Sequence, residues 1–220
     1  MLDTIRVREV YDLYNRSASS AYSTFLEHKG TNTDYDSGED VYDLRMNLCS
    51  ELSRLPRNSV VWDGGCGTGL AIDALQQCEG YKHLSFLGID FLTTLESIDV
   101  PGKSTLIVNG LLEDLNGEVM KKAKELDRFP PSLIIFSNSL YKPQELKTLD
   151  MVLNGTYRCL TPGGSSLIYS DNGMKGLDGT SPLYEDVIKV CTGSKVQFQI
   201  QLLENKSEVC GQYLKLTKCI

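Results

Sequence analysis

Ser59-Val60-Val61-Trp62-Asp63-Gly64-Gly65-Cys66-Gly67-Thr68-Gly69-Leu70 is the stretch whose reading decides the fold. Pro56-Arg57-Asn58 in front of it is a turn. Val60, Val61 and Trp62 form a short apolar, β-branched run, the pattern of a strand buried on both faces. A carboxylate follows at Asp63, and then Gly64, Gly65, Gly67 and Gly69. From Leu70 to Leu75 apolar residues return at helical spacing. Strand, glycine turn and helix open a nucleotide-binding βαβ unit. Glycines suit such a turn because the chain must reverse with positive φ and admit a ligand against the backbone. The helix N-terminus beyond it presents unpaired N–H groups to an anion.

The loop also narrows the choice of ligand. A dinucleotide fingerprint, G-x-G-x-x-G, begun at Gly65 would need glycine at position 70, which is Leu70. An aspartate at the strand tip repels a pyrophosphate and attracts an ammonium group. Both features oppose a nicotinamide-dependent dehydrogenase, the rival enzyme class. The P-loop pattern is absent, which removes the support for nucleoside triphosphates. Asp63-Gly64-Gly65-Cys66-Gly67-Thr68-Gly69 closely resembles motif I of the class I S-adenosylmethionine-dependent methyltransferases, an acidic residue followed by a G-x-G turn. The plainer alternative is a glycine-rich turn with no ligand.

At 220 residues, 41% apolar and 23% charged, the chain fits one soluble α/β domain with a sizeable core. The net charge of −7 and the lack of a Lys/Arg run argue against nucleic acid as the main partner. No apolar run approaches the ~20 residues that span a bilayer, and Met1 to Arg6 lacks the apolar core of a signal peptide. The seven cysteines are odd in number and form no C-x-x-C pair. Reduced thiols, a cytoplasmic location and no metal site are therefore expected.

Taken in order, residues 1–30 read as an amphipathic helical region, 30–38 as a polar loop, and about 39–55 as a helix with a capping box at Ser37 and Asp40. From 59 onward strand and helix alternate, which predicts a parallel doubly wound sheet. The strands fall at 59–63, about 84–90, about 104–109, 133–136 and about 165–170. Helices fall at about 69–78, 116–127, 143–160 and 181–191. Two last strands, near 195–203 and 208–217, are joined tightly enough for a hairpin. The expected fold is α/β, a Rossmann-like, doubly wound, mostly parallel seven-stranded sheet with an antiparallel C-terminal hairpin. The resemblance covers roughly residues 55–220 and implies that the N-terminal segment caps the cofactor. The expected organisation is a single 1–220 domain, with a 1–55 helical cap and a 56–220 core.

Asp90 ends the second strand, where a carboxylate can accept both ribose hydroxyls of a nucleoside. An ordinary solvated strand end is the alternative, but two acidic strand tips together are more specific than either alone. Phe91 could pack on adenine or simply on the core. The resemblance implies cofactor contacts from Asp63, Gly64, Gly65, Cys66, Gly67, Asp90, Phe91, Leu111, Leu112, Ser137 and Asn138. It also implies an acid after the third strand to hold the adenine amine, and that position is Leu111. Backbone groups with apolar contact from Leu111 and Leu112 could serve instead, or Glu113 could substitute.

Transfer from a sulfonium asks mainly for positioning and desolvation, plus a base when the acceptor carries a proton. His28 is the candidate base, with Asn138 and Tyr141 as further candidate catalytic groups; Asn138 also reads as a strand-end cap. His83 reads as a surface residue. The early tyrosines, with Tyr14 and Tyr22 as candidate acceptor contacts, are interleaved with acids and would suit an amine. Amphipathic helices with solvated acidic faces are the plainer and preferred account of them. The expected cofactor is S-adenosyl-L-methionine, leaving as S-adenosyl-L-homocysteine. A small-molecule acceptor methylated on O or N is preferred because no nucleic-acid signature or basic patch is present. The alternatives are a protein or RNA methyltransferase that needs a partner, and a non-catalytic S-adenosylmethionine-binding subunit.

Overall fold

A computed structural model describes residues 48, 50–66, 72, 75–76, 79–90, 107–137, 139–140, 146–170, 183–194, 196–203 and 212–220. The polypeptide builds one seven-stranded sheet from β1 (Val60–Gly64), β2 (Ser85–Asp90), β3 (Ile107–Asn109), β4 (Leu133–Ser137), β5 (Ser165–Ser170), β6 (Phe198–Leu203) and β7 (Gln212–Lys218). Their order is β3-β2-β1-β4-β5-β7-β6. The first five strands run parallel, and β7 lies antiparallel to both β5 and β6. This is the α/β, doubly wound sheet with a C-terminal antiparallel hairpin that the apolar pattern predicts. Of the expected 1–55 helical cap, residues 1–47 and 49 lie outside the described residues.

Period-two alternation explains why both faces must be covered. On β1, Val61 belongs to one apolar cluster and Trp62 to the other; Phe86 and Leu87 divide in the same way on β2, and Ile135 and Ile134 on β4. One layer contains α1 (Met120–Glu125), α2 (Leu146–Cys159) and α3 (Leu183–Gly193). Leu149, Val152, Leu153, Val187 and Val190 of α2 and α3 close that cluster. The opposite layer is built from Leu48, Leu52, Ile72 and Leu75. Lys215 of β7 emerges on that side and pairs with Glu51 at 2.6 Å, pinning the 50–54 helical turn to the hairpin. Trp62 is fully buried, and its indole N–H donates to the Arg128 carbonyl at 2.7 Å.

Turns predicted from Pro, Gly and Asn fall as expected. Asn58 takes φ +65° ahead of β1, and Gly163 takes φ +73° ahead of β5. One element differs from its sequence reading. The helix expected over 116–127 is broken into a tight turn at Leu112–Asp114, a wider π-type turn at Leu115–Val119 and the short α1. Gly117 sits outside helical geometry, at φ −107° and ψ −115°, and the Asp114 carboxylate accepts from the Glu118 N–H at 3.0 Å. Gly117 has no Cβ to collide with that carboxylate, so the local cap overrides helical continuity.

Candidate functional site

The strand order reverses at β1, with β2 on one side and β4 on the other. A sheet of this kind opens a crevice beyond the strand ends at that reversal. Asp63 and Gly64 complete β1, and the chain then bends across β2: the Gly65 and Cys66 N–H groups both donate to the Ile89 carbonyl, at 2.7 and 3.2 Å. The next residue, Asp90, ends β2, and its carbonyl accepts from the Gly110 N–H at 3.1 Å. Backbone bonds therefore gather three strand ends and bring two carboxylates together.

That proximity has an electrostatic consequence. Burial first, and then the charge of Asp90, push the Asp63 carboxyl from its ordinary 3.8 up to about 7. The Cys66 thiol is pushed upward by burial, then by Asp63 and by Asp90, and so stays neutral. It is suited to packing rather than to nucleophilic attack. Ionising a desolvated acid that a second acid repels is costly, and a cation at the crevice would offset that cost.

The glycines divide by function. Gly65 takes φ +83°, and a side chain there would run into Cβ of Ser139. A Cβ on Gly64 would meet the Phe136 ring at 2.6 Å, so this glycine answers to the core. Gly88 on β2 plays a part that sequence reasoning missed. A Cβ there would lie 2.6 Å from both the Cys66 sulfur and Ile72, so Gly88 makes room for the bend to fold over the sheet.

Ser137 lies half-buried at the end of β4, facing Tyr169 in the register with β5. Ser139, two residues on, is a second residue the sequence did not single out. Its hydroxyl is buried against Gly65 with no hydrogen-bond partner among the described residues. Leu112 turns toward Gly64 and packs on the same cluster as Phe136, so its side chain serves the core. Leu111 is 48% exposed just after β3. Gly67, Phe91, Asn138, Tyr141, Tyr14, Tyr22 and His28 lie outside the described residues.

Solved structures share this fold. The N-methyltransferase NodS from Bradyrhizobium japonicum WM9 superposes with a TM-score of 0.52 at 14% identity, over 80% of this chain and 96% of that one. An rRNA methylase from Streptococcus thermophilus gives 0.50 at 15% identity, over 81% and 97%. The fold is that of the class I S-adenosylmethionine-dependent methyltransferases. The CurJ carbon methyltransferase has the same fold, with a TM-score of 0.50 at 14% identity over 82% of this chain and 53% of that one. No protein-family model matches the sequence, and no curated protein is similar to it. In this chain β1 and β2 pair in parallel, so Asp63 and Asp90 stand at neighbouring strand ends, the pairing that the sequence reading sets at the centre of the site.

Proposed function

We propose that this chain is an S-adenosylmethionine-dependent methyltransferase acting on an oxygen or nitrogen of a small-molecule acceptor. The observation that carries the reading is the pair of acids at the β1 and β2 tips, with Asp63 desolvated and repelled by Asp90. Such a pair fits a nucleoside that bears an ammonium group. Asp63 would accept from the ammonium, and Asp90 would take the ribose hydroxyls in charge-assisted bonds. Bound there, S-adenosylmethionine would supply an electrophilic methyl group on its sulfonium sulfur. The Gly65–Cys66 bend, clamped to Ile89, holds the crevice floor rigid, and the neutral Cys66 thiol adds no competing nucleophile. Ser137, at the end of β4, stands on the side where an acceptor would approach. His28 is the candidate for proton removal, and Asn138 and Tyr141 are further candidate catalytic groups. In this reading residues 1–55 cap a core of residues 56–220 within a single domain, and the protein works in a reducing compartment.

The acidic charge of the chain supports a small-molecule acceptor over a polyanion. The experiment is methyl transfer from isotopically labelled S-adenosylmethionine, offered separately to pools of small amines and hydroxyl compounds, to protein and to RNA. Label in the small-molecule pool is expected. Label in RNA alone would move the reading to a nucleic-acid methyltransferase, and binding without transfer to any pool would make the chain a non-catalytic subunit.

A further inference from the structure

The sheet ends in two unlike edges. At one, β3 runs only from Ile107 to Asn109. At the other, β6 extends over Phe198-Gln199-Ile200-Gln201-Leu202-Leu203, and among the described residues it pairs with β7 alone. Exposed edges are ordinarily guarded against a second strand by shortness, by lysine or proline, or by a bulge. Shortness guards β3. β6 has none of these guards: it holds no charge and no proline, and its register with β7 is unbroken from Phe198↔Lys218 to Leu203↔Tyr213.

Two independent features fit this edge to its own copy. The first is the backbone. The Cys219 N–H donates to the Gln197 carbonyl at 3.0 Å, so Gln197 and, by alternation, Gln199, Gln201 and Leu203 turn their backbone groups toward β7. Phe198, Ile200 and Leu202 therefore turn theirs to the open side. The second is the order of side chains. Phe198 and Ile200 pack on the cluster that α2 and α3 close, and Leu202, on the same face, is 49% exposed. Gln199 and Gln201 stand exposed on the other face.

An antiparallel partner related by a two-fold axis through Ile200 satisfies both at once. Phe198 lies opposite the partner's Leu202, Ile200 opposite the partner's Ile200, and Gln199 opposite the partner's Gln201. The outward N–H and C=O groups of Phe198, Ile200 and Leu202 all find counterparts in this register, and each exposed Leu202 gains a phenyl ring beside it. The chain as a whole carries −7, which repels a second copy, but this edge brings no charge to the contact. We infer that β6 is a self-pairing edge, on which two copies of this chain join antiparallel about Ile200 into one continuous sheet. The β1 crevice is separated from that contact by β4, β5 and β7.

The test is sedimentation velocity of the full chain over a range of concentrations. A strand pair is a small interface, so a reversible dimer with a dissociation constant on the order of 1–100 μM is expected. Ile200→Lys and Ile200→Glu each set like charges face to face across the axis. Each alone should raise that constant at least about a hundredfold, and the two mixed should dimerise again. Leu202→Lys, a change at an exposed position, should weaken the dimer about tenfold, and it serves in place of the first pair if position 200 does not tolerate a charge. Circular dichroism identifies the variants that fold. A wild-type chain that stays monomeric throughout, or one that forms a species larger than a dimer, would overturn the inference. So would folded Ile200 variants that dimerise like wild type or fail to dimerise when mixed, or a Leu202→Lys dimer as tight as the wild type's.

Discussion

Replacing Asp63 with asparagine should make the ligand-free protein more stable while destroying its function. In the folded chain the Asp63 carboxyl titrates near 7, against 3.8 when unburied. Each pKa unit corresponds to about 1.36 kcal/mol, so ionised Asp63 costs the fold up to about 4 kcal/mol. Allowing for the solvent that reaches a partly exposed carboxyl, about 2–3 kcal/mol remains. The sign follows from proton binding. Below pH 3.8 both folded and unfolded chains hold the proton, and there is no penalty. Between 3.8 and about 7 the unfolded chain ionises first, so stability falls as pH rises. Above that the penalty is complete and constant.

Asparagine resembles the protonated form in shape and charge, so Asp63→Asn should match wild type near pH 4 and exceed it by about 2–3 kcal/mol near pH 8. Urea unfolding at the two pH values, without ligand, measures the difference. The same variant should bind S-adenosylmethionine at least tenfold more weakly at pH 8, because the ammonium loses its anion. Equal stability of the two proteins at pH 8 would refute the claim that this carboxylate is held at a cost in the empty crevice.

Three further outcomes are expected. Binding of S-adenosylmethionine should strengthen with pH up to about 7 and then level off, since Asp63 must give up its proton to receive the ammonium; calorimetry in buffers of different ionisation enthalpy should show proton release below that pH. Asp90→Ala should weaken S-adenosylmethionine by about 1.5–3 kcal/mol for each ribose bond lost, and an unchanged dissociation constant would remove Asp90 from the site. Gly65→Ala should disturb both fold and site, because its φ of +83° and the Ser139 side chain leave no room for a Cβ. A loss of about 1–3 kcal/mol in thermal or urea unfolding is expected, where a glycine needed only for ligand clearance would leave stability untouched.

The element plan of the core was legible in the chain because it depends on short-range patterning. Val60–Trp62, Phe86–Ile89 and Leu133–Phe136 read as strands buried on both faces, and they are. Asp63 and Asp90 also declared themselves, since a carboxylate ending an apolar strand is a local signal. What the sequence left open depended on contacts that the apolar pattern does not register. The break at Gly117 turns on a side chain three positions away competing for the backbone, which helical periodicity does not register. Leu111 and Leu112 are alike and adjacent in sequence, yet one faces solvent and the other packs under Gly64. Gly88 and Ser139 gain their meaning only because Cys66 and Gly65 fold onto them.

The sequence by itself determined the strands and the longer helices of the core, and that acids stand at two strand ends, because alternation, periodicity and turn chemistry act over a few residues. Tertiary structure alone decided that Asp90 lies close enough to raise the proton affinity of Asp63, and which glycine serves the core and which the bend. The physical reason is that Coulomb repulsion and steric exclusion depend on distance in space, and distance in space is set only when the strands are laid side by side.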